Sequence, residues 1–143
     1  MIIDATNMIL GRMLSFAAKQ ALLGQKVDIT NCEKAVISGN KVDVFHKYWY
    51  RARDMGGPRK GPFMPRMPDR FVRKVVKGML PLNIDRGKEA YKRMMCYIGV
   101  PEEFKGKPTV KVPGADVSKL TTLKKVSVGD ICKFIGGKWN EVQ

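Results

Sequence analysis

The chain has 143 residues, 44% of them hydrophobic, and carries 27 Lys and Arg against 13 Asp and Glu, a formal net charge of +14. That length and apolar fraction suffice for one ordinary domain with its own core and exclude disorder throughout. No apolar run approaches the roughly 18 residues of a membrane helix, and Cys32, Cys96 and Cys132, odd in number and without a CxxC pair, fit a reduced, cytoplasmic protein better than a disulfide scaffold or a zinc site.

Residues 1–5 form a short apolar run without the basic region and long apolar core of a secretory signal. Leu14, Ala17, Ala18, Ala21 and Leu22 then recur at helical spacing, which predicts a helix over 8–24 with Gly24 as its C-cap. Residues 27–30 read as a second strand, so the chain opens with a right-handed parallel strand–helix–strand unit. A third strand is expected over 35–38. Asn40 and Asp43 have capping-box spacing and start a helix reaching about Arg53. Its stripe is Val42, Phe45 and Trp49, with Trp49 read as a core residue; Tyr48, Tyr50 and Arg51 lie off that spacing and are expected to face a partner.

Charge is concentrated in the middle. Residues 47–77 hold ten Lys or Arg against two Asp, whereas residues 1–46 hold five against four. The same stretch contains Gly56, Gly57, Pro58, Gly61, Pro62, Pro65 and Pro68, which cannot sustain a helix or a central strand. It reads as a long exposed loop, extended and mobile through self-repulsion until a polyanion neutralises it. Phosphate backbones are the usual polyanion for such a segment.

After the loop, Pro68 and Asp69 suit a helix start. Phe71, Val72, Val75, Val76 and Met79 make its apolar side, with Phe71 in the core, and Arg70, Arg73, Lys74 and Lys77 make another side. A further helix is expected over 86–98, with Ala90, Tyr91, Met94 and Met95 inward. Residues 109–112, bracketed by Pro108 and Pro113, suit an edge strand. Ser127 and Asp130 have capping spacing before a short last helix stopped by Gly136 and Gly137.

A charge run is most often only a solvated face, but alternating signs would serve solubility without self-repulsion. The candidate RNA-binding residues fall into three groups: Tyr48, Tyr50, Arg51 and Arg53 at the helix exit; Arg59, Lys60, Phe63 and Arg66 in the loop; Arg70, Arg73, Lys74 and Lys77 on the next helix. Phe63, without periodic support, reads as a stacking platform. No catalytic residue is assigned. His46 lacks a nucleophile with an acidic orienter and reads as a packed or surface histidine. Gly11 and Arg12 lack the glycine pattern of a nucleotide-binding turn. Asp4, Asp28, Glu33 and Asp43 are too scattered for a metal cluster and are expected to cap helices or pair locally. The three cysteines read as packing residues.

Asp4-Ala5, Leu10-Gly11-Arg12 with Ser15-Phe16-Ala17-Ala18-Lys19, and Asn31-Cys32-Glu33-Lys34-Ala35 with Ile37-Ser38-Gly39 resemble the universal large-subunit ribosomal protein family numbered thirteen in the bacterial scheme. Arg59-Lys60-Gly61-Pro62, Met67-Pro68-Asp69-Arg70, Val76-Lys77-Gly78-Met79-Leu80-Pro81, Arg86-Gly87 and Tyr97-Ile98-Gly99-Val100-Pro101 resemble its archaeal and eukaryotic branch. The resemblance spans roughly residues 1–104. It implies an α/β fold: a three-layer single domain with a mainly parallel central sheet, helices on both faces and a basic Gly/Pro-rich loop extension at about 52–77. It also implies a structural constituent of the large subunit that organises ribosomal RNA during assembly, without a cofactor or small-molecule substrate. Arg86 joins the RNA-binding set through this resemblance, and residues 78–81 are expected to pack closely on backbone or RNA. Asp69 replaces the small neutral residue of many relatives, favouring helix capping there.

The expected partners are large-subunit ribosomal RNA and neighbouring ribosomal proteins, in the cytoplasm and away from membranes. Residues 105–143 are expected to form a C-terminal extension in which Lys111, Lys119, Lys124 and Lys125 have no assigned role. Two other readings of the same basic surface are an RNA-modifying enzyme, which needs a pocket of convergent polar groups, and a translational regulator that binds messenger RNA outside the ribosome.

Overall fold

A computed structural model describes residues 1–57 and 59–139; Pro58 of the predicted loop and residues 140–143 of the predicted C-terminal extension lie outside the described residues. The opening unit is as expected: strand β1 (Ile2–Asp4), helix α1 (Leu10–Leu22) and strand β2 (Val27–Thr30), with β1 parallel to β2 and Ile3 opposite Ile29. Ile3, Val27 and Ile29 are fully buried in one cluster with Leu14, Ala17 and Ala21 of α1. Each large aliphatic side chain so buried stabilises the fold by about 1.5–3 kcal/mol relative to exposure. Gly24 turns the chain out of the helix at φ +98°.

Strand β3 (Val36–Ser38) follows, then α2 (Lys41–Arg53), α3 (Pro68–Lys77) and α4 (Asp85–Arg93). Pro68 sits in the first turn of α3 with Asp69 behind it, and Phe71, Val72 and Val76 complete the core against the sheet. Asn40 occupies the N-cap of α2, but its side chain makes no capping hydrogen bond. The expected capping box is therefore not formed there.

The helix expected over 86–98 ends at Arg93. Met94–Cys96 form strand β4 instead, parallel to β2, giving the sheet order β1-β2-β4 with all strands parallel. Met94 and Cys96 are buried while Met95 is half-exposed, a period of two that the run of apolar residues concealed. The open edge of β2 offers these backbone groups partners, and Tyr97 continues the ladder by donating its amide to the Ile29 carbonyl at 2.8 Å. Sheet pairing here overrides local helical preference.

The predicted C-terminal extension folds back over the body. Val110 makes a single parallel bridge to Ile3 beside β1, its amide donating to the Ile2 carbonyl at 2.8 Å, so the edge position is right but no longer strand forms between the two prolines. Val112 and Ala115 enter the core. Strand β5 (Lys125–Ser127), absent from the sequence reading, pairs antiparallel with β3, and helix α5 (Val128–Ile135) packs on α2. Ser127 Oγ accepts the Asp130 amide at 3.0 Å, and Gly136 ends the helix in the left-handed conformation, as its residue types demand. The result is a mixed α/β fold, its main sheet parallel and flanked by helices.

Of residues 78–81, Leu80 is buried in the core while Gly78, Met79 and Pro81 are exposed. A Cβ on Gly87 would stand 2.0 Å from the Pro81 carbonyl oxygen, so only glycine lets α4 approach that junction.

Candidate nucleic-acid interface

Helix α2 meets the core along Val44, Tyr48 and Ala52, residues four apart, and the Tyr48 ring packs edge-on against Phe71 with centroids 5.1 Å apart. This moves the predicted Val42, Phe45, Trp49 stripe sideways. Val42 is 71% exposed, and Trp49 is half-buried in a shallow groove with Phe45, His46 and Phe134, so Trp49 is not a core residue. Phe45 stacks on Phe134 at 4.6 Å, and His46 is an exposed surface histidine.

The basic loop is not a freely extended strand. It closes a turn in which the Gly61 amide donates to the Gly57 carbonyl at 2.9 Å, with Gly56 and Gly61 at φ +83° and +84°. A Cβ on Gly56 would lie 1.9 Å from the Gly61 carbonyl oxygen. Glycine's tolerance of positive φ thus compacts the loop despite its charge. Further on, Met64 packs against the core and the Lys74 ammonium donates to the Phe63 carbonyl. The Arg66 backbone also approaches Gly137 so closely that a Cβ there would stand 2.2 Å from the Arg66 oxygen.

These anchors sort the sequence-predicted residues into two sets. Tyr50, Arg51, Arg53, Arg59, Lys60, Phe63, Arg66, Arg70 and Lys77 are exposed, Phe63 by 66%. Tyr48, Arg73 and Lys74 are half-buried and have partners inside the protein. Arg73 lies over the Tyr91 ring at 4.8 Å, a cation–π contact, and Tyr48 packs on Phe71. Burial raises the Tyr48 phenol above its ordinary value of 10.0, with the Arg51 charge opposing and Cys132 adding slightly. Arg86 is set elsewhere, donating to the Leu22 carbonyl at the C-terminal end of α1 at 3.4 Å, where a cation complements the helix dipole.

Among the described residues the ion pairs are Lys88 with Asp85 and Arg93 with Glu89, both exposed pairs along α4. None of the ten basic residues between 47 and 77 takes part in one. Asp69, the acid within α3, has a buried carboxylate oxygen without a hydrogen-bond partner and sits near Cys132.

The exit of α2, the loop and α3 enclose a hollow of about 480 Å³ lined by Tyr48, Arg51 and Lys74 together with Met55, Pro62, Met64, Val75 and Gly78. Met55 and Met64 were unassigned in the sequence reading. Their signal was two flexible apolar side chains set among arginines and prolines, where no periodicity marks a core.

Of the scattered acids, Asp4 and Glu33 pair locally, whereas Asp28 has a buried carboxylate oxygen without a hydrogen-bond partner. Asp4 Oδ1 accepts from the Thr6 hydroxyl at 2.7 Å, the Asn31 amide at 2.9 Å and the Thr6 backbone at 3.0 Å. Partial burial pushes this carboxyl up, but those bonds, led by Asn31, and the nearby Lys34 outweigh it and hold it below its ordinary 3.8. Glu33 accepts the Gly99 amide at 3.1 Å. Cys32, Cys96 and Cys132 are free and buried, as packing residues should be. Burial, with the Asp69 charge adding, pushes the Cys132 thiol up to about 12, and burial together with Cys96 raises Cys32 well above its ordinary value. Among the described residues no group of three or more His, Cys, Asp or Glu is placed to hold a metal ion, and no helix is long and apolar enough to cross a membrane.

Comparison with known proteins adds an independent line. A family model described as "Ribosomal protein L13" matches residues 1–103. The large ribosomal subunit protein uL13 of Methanococcoides burtonii is 43% identical over 138 residues, covering 96% of this chain and 99% of that relative. Those of Methanopyrus kandleri and Archaeoglobus fulgidus are 43% and 40% identical over 138 and 136 residues, each match covering 94% of this chain and 86% of the relative.

Proposed function

Since this chain belongs to the ribosomal protein L13 family, in its archaeal and eukaryotic-type branch, and is an RNA-binding structural constituent of the large ribosomal subunit, we propose that segment 47–77 forms its principal contact with ribosomal RNA. The observation that carries this reading is the set of ten cations, none of them ion-paired among the described residues, set along the end of α2, on α3 and on the connecting loop, which the fold anchors rather than leaves loose. A surface evolved for solubility alone would interleave acids.

In this reading Arg51, Arg53, Arg59, Lys60, Arg66, Arg70 and Lys77 approach phosphates, with Tyr50 and Phe63 offering exposed rings to unpaired bases. Arg73 shapes the surface from beneath, Tyr48 and Lys74 line the hollow within it, and Arg86 extends it beside the end of α1. The contribution is architectural: several closely approached phosphates are neutralised at once, and RNA helices are fixed relative to one another during assembly. Neighbouring large-subunit proteins are further partners, and the exposed groove of Val42, Phe45, Trp49 and Phe134 is a surface one of them can cover. The site of action is the cytoplasmic large subunit.

Gradient fractionation of cell extract tests the assignment, expecting the protein in stoichiometric amounts with large subunits. Exclusive recovery in free messenger complexes would instead support a translational regulator. Crosslinking on intact subunits should map 47–77 to RNA, and crosslinks confined to other segments would overturn the proposed contact.

A further inference from the structure

We propose that the hollow between the end of α2, the basic loop and α3 is the seat of a single unstacked nucleotide of the bound RNA, its base between the apolar walls and its phosphate at Arg51 and Lys74. This deepens the RNA-binding reading and rests on it. At about 480 Å³ the hollow falls within the roughly 300–1,000 Å³ of small-ligand sites, and a duplex cannot enter it.

Its chemistry is divided as a nucleotide is divided. Met55, Met64 and Val75 present thioether and aliphatic surface of the kind that receives a flat base from either side. Tyr48 supplies an aromatic wall, and its edge-on contact with Phe71 at 5.1 Å fixes the ring before any ligand arrives. A platform already ordered costs less to use than one that binding must order. Arg51 stands exposed at the rim, and a guanidinium either forks a phosphate or lies flat on a base. Lys74 gives one donor to the Phe63 carbonyl and retains two of its three N–H groups.

An aliphatic side chain from a neighbouring protein would also suit the walls. The rim decides against it: two cations and no acid line the hollow, within a segment of net charge +8. Sequence-selective RNA recognition targets splayed bases of loops and bulges, stacked on aromatic or guanidinium planes. Phosphate contacts alone carry no such selectivity. The hollow therefore gives this protein a means of choosing its place on the RNA, where the surrounding cations supply only attraction.

The test is base-specific chemical probing of a large-subunit ribosomal RNA transcript bound by the full chain, beside backbone cleavage on the same complex. Wild type should protect the Watson–Crick edge of one unpaired base within a broader backbone footprint. Val75→Phe fills the hollow; it should abolish that base protection and weaken binding about tenfold, while the backbone footprint returns at higher protein concentration. Should Val75→Phe lose native circular dichroism, Gly78→Leu serves instead, because its right-handed helical backbone accepts a side chain and the nearest atom to a new Cβ is 3.5 Å away. Unchanged base protection in the filled variant overturns the proposal and leaves RNA binding intact. Absence of any footprint with wild type overturns both. A photoreactive residue at Met55 in assembled subunits should crosslink to one nucleotide, and a crosslink to protein alone would show that a side chain occupies the hollow.

Discussion

The parallel sheet and the basic segment satisfy their polar groups in opposite ways. Around β1 and β2, the Asp4 carboxylate takes three donors within 3.0 Å and Glu33 accepts the Gly99 amide from across the chain. Between residues 47 and 77 the cations have no acidic partner among the described residues, and only Arg73 and Lys74 have protein groups to hold them. The first region meets most of its polar groups from within, the buried Asp28 Oδ1 excepted, whereas the cations of the second await a partner outside the chain. Stability and binding are therefore carried by different residues, and substitutions should separate them.

The largest effect is expected on binding. Replacing Arg59, Lys60, Arg66 and Arg70 with Gln removes four phosphate contacts and should lower the slope of log affinity against log salt by about 3, from roughly 0.7–0.9 per contact. Affinity near 0.1 M salt should drop at least a hundredfold by that counterion-release account, about tenfold for every 1.4 kcal/mol lost. A salt series by filter binding checks this, and thermal stability should hold or rise because self-repulsion is relieved. An unchanged slope would mean that these side chains do not meet phosphates.

Two phenylalanines sharpen the contrast. Phe71→Ala empties a fully buried site and should cost about 3–5 kcal/mol in urea unfolding. Phe63→Ala, in the exposed loop, should stay within about 0.5 kcal/mol of wild-type stability while weakening RNA binding. Equal destabilisation by the two would erase the distinction between regions.

Helix caps give a smaller, internal test. Ser127→Ala loses the bond to the Asp130 amide and should cost about 1 kcal/mol. Asn40→Ala has no side-chain cap bond to lose and should cost a few tenths of a kcal/mol at most. Smallest is the pH term. Because the folded Asp4 carboxyl lies below its unfolded value, its contribution is present above about pH 4 and is lost as pH falls through the folded value. Asp4→Asn should make acid unfolding less steep in that window. An identical acid limb in both proteins would show that Asp4 contributes no proton linkage.

The same division explains what could be read from sequence. Helix α1 and strand β2 were legible because their periodicity is local, and Ser127 with Gly136 announced both ends of α5. Strand β4 was not legible. Met94, Met95 and Cys96 continue the apolar spacing of a helix, and only the free edge of β2, nearly seventy residues earlier, makes them a strand. Trp49 was misread because Tyr48 meets Phe71 and thereby fixes the rotation of α2. Charge density marked the basic segment without any knowledge of contacts. Its compact turn, and the hollow built from Met55 and Met64, depend on close approaches that no linear pattern records.

The account stands on RNA covering the basic segment in the working particle. Arginine modification by a dicarbonyl reagent, read by mass spectrometry on the free protein and on intact large subunits, tests this directly. Arg59, Arg66 and Arg70 should react readily in the free protein and become strongly protected in the subunit, with reactivity restored by ribonuclease. Equal modification of all three in both states would contradict it.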